Sequence, residues 1–409
     1  MQSVLKTSEP TRDAEEMAAL DSRPTTPVRC VPASTQEPRN PFAGDTRDLA
    51  NLDFLRTVAV SLVFVEHLAG TADFHGLGSI GRLGVLIFFV HTSLVLMFSM
   101  ERLKLSGFRL YFVFLVRRIF RIYPLSILAV IAVTTFRIPA VSGAGGFQWI
   151  GWPSFFSNAF LTQNLTHSKS VDFLWSLPFE MQMYLVLPFL FLLLSRFPSL
   201  KFASLIWLLG IAIAWSEWAV QPETADMNYL LARYIPCFLA GVVAWRIMSS
   251  QPRRFPGFLW ILFLLLLVAA YRAVDIGRVY GPAAFGAVHG AFRTDHEIWW
   301  PHFLDLARDW VFCAATGVAL PFFREIRIGW LNGLSRKVAL YSYGIYVAHV
   351  PALWLCFDLL RPSSLLVGAV LSIALTAALA ILLYHLVEHP AIELGKRLSI
   401  LPAPHPALS

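Results

Sequence analysis

The strongest constraint in this chain is a succession of long apolar runs, broken at short intervals by charge, glycine or proline. A run of about 20 apolar residues matches the roughly 30 Å hydrocarbon core of a bilayer, at about 1.5 Å per helical residue. Ten such runs are legible, at 51–69, 80–100, 118–136, 173–195, 200–219, 228–248, 257–274, 305–323, 338–358 and 364–387. Only 14% of the 409 residues are charged, against about 25% in a soluble domain. The expected fold is all-α: a polytopic membrane domain over 48–398 with about ten transmembrane helices, and a short C-terminal tail over 399–409. Residues 1–47 are rich in Pro, Ser, Thr, Glu and Arg and carry no apolar run. They read as a disordered tail without the h-region of a cleavable signal peptide, leaving targeting to the first membrane helix.

Orientation follows from the distribution of Lys and Arg. Basic residues gather in alternate joins: Arg102 to Arg121, Arg196 with Lys201, Arg246 to Arg254, Arg324 to Lys337, and Lys396 with Arg397. The other joins carry Asp73, Glu217, Glu223, Asp226, Asp295 and Glu297. Ten spans with both termini cytoplasmic satisfy the rule at every loop. The net charge of +7 thus sits where topology-setting charge belongs, which argues against a nucleic-acid partner. None of the four cysteines, Cys30, Cys237, Cys313 and Cys356, falls in a metal-ligand or redox spacing, so neither a metal site nor a disulfide framework is expected. The chain also lacks GxxxxGK[ST], GxSxG and HExxH, and no HxxxxD stands at His67.

Ionisable residues inside a membrane are costly and mark pathways or sites. In NLDFLRTVAVSLVFVEHLAG, Arg56 and His67 lie eleven residues apart. Eleven steps of about 100° make almost three turns, which puts both on one helix face about 16 Å apart. Glu66 lies about 100° away and is read as an interface residue, while Asp53 is placed to pair with Arg56. Counting from the span ends puts Glu180 of LWSLPFEMQMYLVLP at a depth similar to that of His67, with His91 and His349 near the midplane. Ser342, Tyr346 and His349 form one stripe on their helix. In VRRIFRIYP, Arg118 and Arg121 stack on one side of a helix entering the third span, as positive-inside anchors or as a phosphate clamp at the cytoplasmic face. Two outer segments, 137–172 and 275–304, are rich in Gly, Trp and His and read as an interfacial or re-entrant piece and as a folded loop or lid. Asn164-Leu165-Thr166 has the form of a glycosylation sequon.

Taken in order, these motifs resemble those of the membrane-bound acyltransferase-3 family. LDFLRTVAVSLVFVEH resembles its R-x10-H segment, and GRLGVLIFFVHTSL its G-x-x-G-V-x-x-FF-V-x-SG segment. RRIFRIYP resembles R-x-x-R with Ile-Tyr-Pro, and LWSLPFEMQMYLVLP resembles W-S-L-x-x-E-x-x-x-Y-x-x-x-P through Trp175, Ser176, Glu180, Tyr184 and Pro188. ARYIPCFLAGVVAW resembles an R-x-x-x-F-x-x-G segment, SYGIYVAHVP the segment ending at His349, and VEHPAIELGKR the closing E-x-P. The matches span 51 to 397. One departure is His91-Thr92-Ser93, where the family has Ser-Gly, so packing or pocket size is expected to differ there.

The resemblance implies transfer of an acyl group, often acetyl, from a cytoplasmic acyl-CoA to a hydroxyl of a lipid-linked or extracytoplasmic carbohydrate of the cell envelope. Acyl-CoA is then a co-substrate, with no cofactor permanently bound, and the setting is a plasma membrane of the bacterial inner-membrane type. Carried over residue by residue, Arg118 and Arg121 hold the donor's phosphates and His67 acts as general base or transient acyl carrier. Glu180 orients His67, Arg56 steadies charge on the thioester, and His349, Tyr346, Trp175 and Ser176 are substrate-binding candidates. The competing class is a transporter or flippase of an envelope precursor, which also needs intramembrane charge; no internal repeat pairs the two halves.

Overall fold

A computed structural model describes residues 49–72, 74, 77, 79–139, 151–168, 171–220, 230–249, 254–280 and 299–399, with the backbone alone at 172, 218–220, 277–280 and 299–304. The chain divides into two units, Met1–Pro41 and Phe42–Ser409, and the described residues all belong to the second. The tails over 1–47 and 400–409, residues 140–150 of the first outer segment and 281–298 of the second lie outside them.

The helices are α1 (Ala50–Thr71), α2 (Ile80–Leu103), α3 (Gly107–Phe136), α4 (Gly151–Ala159), α5 (Leu177–Arg196), α6 (Leu200–Val220), α7 (Leu231–Met248), α8 (Phe258–Tyr280), α9 (Trp299–Ala319), α10 (Gly329–Trp354), α11 (Leu365–Leu383) and α12 (His389–Leu398). π-helical turns extend α10 through Leu355–Leu360 and join α11 to α12 through Tyr384–Glu388. Every one of the ten expected runs falls on a helix. Among the described residues, eight helical stretches are long and apolar enough, by length and composition, to cross a membrane. The two runs outside that set are α1, with Asp53, Arg56 and Glu66, and α9, with Asp305, Arg308 and Asp309.

Packing explains how charged helices sit among apolar ones. α2 and α7 are buried nearly all round and form the centre; α1 packs on α2 and α10, α9 on α7 and α2, and α11 on α10. α6 and α11 expose Leu205, Leu208, Leu209, Leu366, Val370 and Ile373, the apolar outer face that lipid requires. Two glycines let the central helices meet. A Cβ at Gly84 on α2 would come within 2.5 Å of the Ala59 carbonyl on α1, and one at Gly241 on α7 would collide with the Val90 carbonyl on α2. Ser93 stands where the resembled family carries a glycine, and Gly241 on the facing helix supplies the close approach at that crossing.

The charges on α9 are neutralised across helices. Arg82 on α2 pairs with Asp309 at 2.8 Å, Tyr271 of α8 donates to the same carboxylate at 2.9 Å, and Arg308 bonds both Asp309 and Asp275. Asp275 also accepts from the Ser79 hydroxyl at 2.7 Å. Glu66 caps the neighbouring helix: its carboxylate accepts from the Gly81 backbone N–H in the first turn of α2, where orphan amides and the helix dipole favour an anion. At the opposite end of α1, Asn51 donates to the Arg324 carbonyl at 2.9 Å and accepts from the Ile326 N–H at 3.0 Å, pinning the helix start to the segment before α10.

The first outer segment contributes α4 and the turns after it. Asn164 and Gln182 exchange amide hydrogen bonds at 3.3 and 2.9 Å, and Asn164 is 3% exposed. The sequon reading is therefore corrected: that side chain is a buried helix-to-loop clasp and offers no amide to a glycan.

Candidate active site

Two cavities open among α1, α2, α3, α5 and α10. The inner one, of about 90 Å³, is lined by Arg56, His91, Arg118, Arg121, Ser176, Glu180, Tyr184, Ser342 and Tyr346 among apolar walls that include Phe88, Leu96 and Ile122. The second, of about 520 Å³, is lined by Asp53, Arg56, His91, Arg102, Arg121, Arg336, Tyr384 and Glu388. Arg56, His91, Val95 and Arg121 line both, so these four side chains form the partition between the two spaces.

Each functional side chain is placed by local sequence. α3 starts at Gly107, eleven residues before the Arg118 expected at a membrane entry, because apolar residues 110–116 carry the helix forward from there. Arg118 and Arg121 consequently lie about 16 to 21 Å along the helix. Both line the inner cavity, and Arg121 lines the larger one as well. The Arg118 guanidinium stacks over Phe114 one turn earlier, 5.7 Å from the ring centre. Arg117, on a different face, donates to Ser399 at 3.0 Å. α5 begins at Leu177 with Pro178 in its first turn, so Glu180 sits in that first turn and not two turns in.

Around the inner cavity Glu180 meets three arginines. Arg56, Arg121 and Arg118 all act electrostatically on its carboxylate, and Tyr184 donates to it at 2.9 Å. The Nε atoms of Arg56 and Arg118 are buried and have no hydrogen-bond partner among the described residues. Asp53, expected to pair with Arg56, interacts with Arg336 as well as Arg56.

His67 lies outside the cavity walls. Its Nδ1 sits 2.9 Å from the Val63 carbonyl, and its ring meets His349 edge to face with centroids 4.8 Å apart. His349 places its own Nδ1 2.6 Å from the Tyr346 carbonyl, while its Nε2 is buried with no partner among the described residues. A carbonyl only accepts, so in the neutral rings both Nδ1 atoms carry the proton and both Nε2 atoms present a lone pair. The expected hydrogen bond from Glu180 to His67 is not found among the described residues; backbone carbonyls set the tautomer instead. Between the cavity and this pair, Ser176 and Tyr346 share a 2.8 Å hydrogen bond, and the Tyr346 ring lies 5.9 Å from that of His349. Trp175, beside Ser176, packs on Phe179 and Tyr234, with centroids 6.1 and 5.7 Å away, and does not line the cavity.

The structure thus brings Arg56, Arg118, Arg121 and Glu180 into one cluster and His67 with His349 into another, with Ser176 and Tyr346 between. Sequence reasoning left Arg102, Arg336 and Glu388 out of the site. The two arginines read equally well as topology charges, but an acid at the end of the apolar run ILLYHLVEHP carries the same signal that singled out Glu180. Among the described residues, no group of His, Cys, Asp and Glu is arranged to hold a metal ion.

A family model described as an acyltransferase domain, the acyltransferase-3 type, matches residues 49–385. No curated protein and no solved structure matches the chain.

Proposed function

This chain belongs to the membrane acyltransferase-3 family, and from that premise we propose that it moves an acyl group, with acetyl the first candidate, from a cytoplasmic acyl-CoA to a hydroxyl of an extracytoplasmic or lipid-linked carbohydrate. The observation that carries the reading is the charge of the two adjoining cavities. Arg56, Arg118 and Arg121 line the inner cavity beside the carboxylate of Glu180, and the larger one adds Asp53 and Glu388 with the exposed Arg102 and Arg336. Three guanidinium groups beside one carboxylate around the inner cavity favour an anion, and guanidinium forks suit phosphate oxygens. On this reading the donor's phosphates occupy the larger cavity, which faces the cytoplasm if both termini lie there, and its thioester arm passes the partition into the inner one.

Transfer then runs through the histidine pair. His67 Nε2 takes the proton of the acceptor hydroxyl as its oxygen attacks the thioester carbon. The C–S bond breaks, and the thiolate leaves as the free thiol after taking that proton from the imidazolium. Arg56, in the inner cavity, steadies charge on the donor before that step. The Ser176–Tyr346 hydrogen bond stands between the inner cavity and His67, so this wall must yield for the acyl carbon to reach the base.

The test is a labelled-acetyl transfer assay in membranes supplied with acetyl-CoA and envelope glycans. Label appearing on a carbohydrate hydroxyl, and absent in membranes lacking the protein, supports the reading. A substrate that crosses the membrane chemically unchanged would overturn it in favour of transport.

A further inference from the structure

Glu388 is the buried acid that the mechanism does not use. It closes the π-helical turn Tyr384–Glu388, two residues before Pro390, and lines the larger cavity. Proline has no N–H and crowds the carbonyl four residues back, which loosens the α-helical pattern at this point; π turns of this kind gather at functional sites. The residue is 1% exposed, and neither carboxylate oxygen has a hydrogen-bond partner among the described residues. Its nearest cation, Arg121 Nη2, lies 3.9 Å from Oε1, too far for a hydrogen bond. Since Arg121 also belongs to the partition, Glu388 sits in that cavity beside the partition with the inner one.

A buried acceptor left unmade is costly, so a donor is needed there. The same wall selects its kind. A cationic group would be repelled by Arg121 and Arg56, which both act on Glu388, and an anionic group would be repelled by the carboxylate itself. What fits is a neutral N–H or O–H on a molecule that carries its negative charge elsewhere. We infer that Glu388 binds the acyl donor by accepting a hydrogen bond from an amide N–H of its pantetheine arm, at the point where that arm turns through the partition. This rests on the acyl-CoA reading above: phosphates go to the arginines and the uncharged amides to the carboxylate.

The test pairs the protein with donors altered at one atom. Acetyl-CoA is compared with analogues in which each pantetheine amide in turn is replaced by an ester, in wild type, Glu388→Ala and Glu388→Gln. For one of the two esters, wild-type kcat/KM is expected to fall about tenfold, the worth of a hydrogen bond to a charged group. In Glu388→Ala that penalty should vanish, while Glu388→Gln, which keeps an acceptor oxygen, should retain part of it. Equal penalties in wild type and Glu388→Ala would overturn the inference while leaving the donor reading intact. So would the absence of any ester penalty in wild type, a result that needs no variant to fold. Failure of wild type to use acetyl-CoA at all would overturn the donor reading, and this inference with it.

Discussion

The tautomer of neutral His67 is set by a single backbone atom. The Val63 carbonyl, one turn earlier on the same helix, fixes the Nδ1 proton and leaves Nε2 with the lone pair that the proposed base role needs. His67→Ala is therefore expected to cut acyl transfer by about 10²- to 10⁴-fold, the usual contribution of a general base, without loss of membrane insertion. Labelled-acetyl transfer normalised to protein in the membrane measures it, and full activity would remove His67 from the chemistry. The identity of this residue was legible from its spacing to Arg56 in an apolar run, but its partner was not. Glu180 looked like the natural orienter because a carboxylate is visible in sequence and a carbonyl is not. Counting residues from a span end also put Glu180 level with His67, whereas it meets Arg56, about three turns away along α1. The rule that flagged intramembrane charge would have flagged Glu388 as well.

At the scale of elements, the ten helical runs could be read from hydropathy because each apolar face must meet lipid or another helix. The start of α3 could not: the helix begins at Gly107, eleven residues before Arg118, and carries Arg118 and Arg121 to the walls of the cavities. What fixes the relative height of neighbouring helices is close contact, and here two glycines decide it. Gly241→Leu must push α7 away from the Val90 carbonyl of α2, an overpacking worth about 1–3 kcal/mol or more. The expected outcome is a lower thermal midpoint of the purified protein in detergent, while Gly333→Ala, where nothing lies within 4 Å of the added methyl, leaves it nearly unchanged. The network on α9 makes a parallel case. Asp309→Asn leaves Arg82 and Arg308 short of a carboxylate among buried residues, and breaking such a pair costs about 3–5 kcal/mol. Because none of these three residues lines either cavity, the yield of folded protein should fall while transfer per folded molecule is kept.

Across the whole molecule, stability and donor binding pull against each other at one place. Arg56, Arg118 and Arg121 repel one another around the inner cavity, where Glu180 is the one carboxylate among the described lining residues. A protein built this way keeps positive charge uncompensated so that a phosphate-bearing donor can complete it. Two opposite consequences follow for Arg118→Ala combined with Arg121→Ala. Unliganded, the variant should melt at or above the wild-type temperature, since it sheds mutual repulsion around the inner cavity. With acetyl-CoA at about 100 times its Kd, binding adds about 2.7 kcal/mol to the wild type, an upward shift of a few degrees, and the variant should show little or none. Thermal melts in detergent with and without acetyl-CoA read both effects in one experiment. A variant that melts far below wild type without ligand, yet still shifts fully with it, would return these arginines to the role of structural anchors.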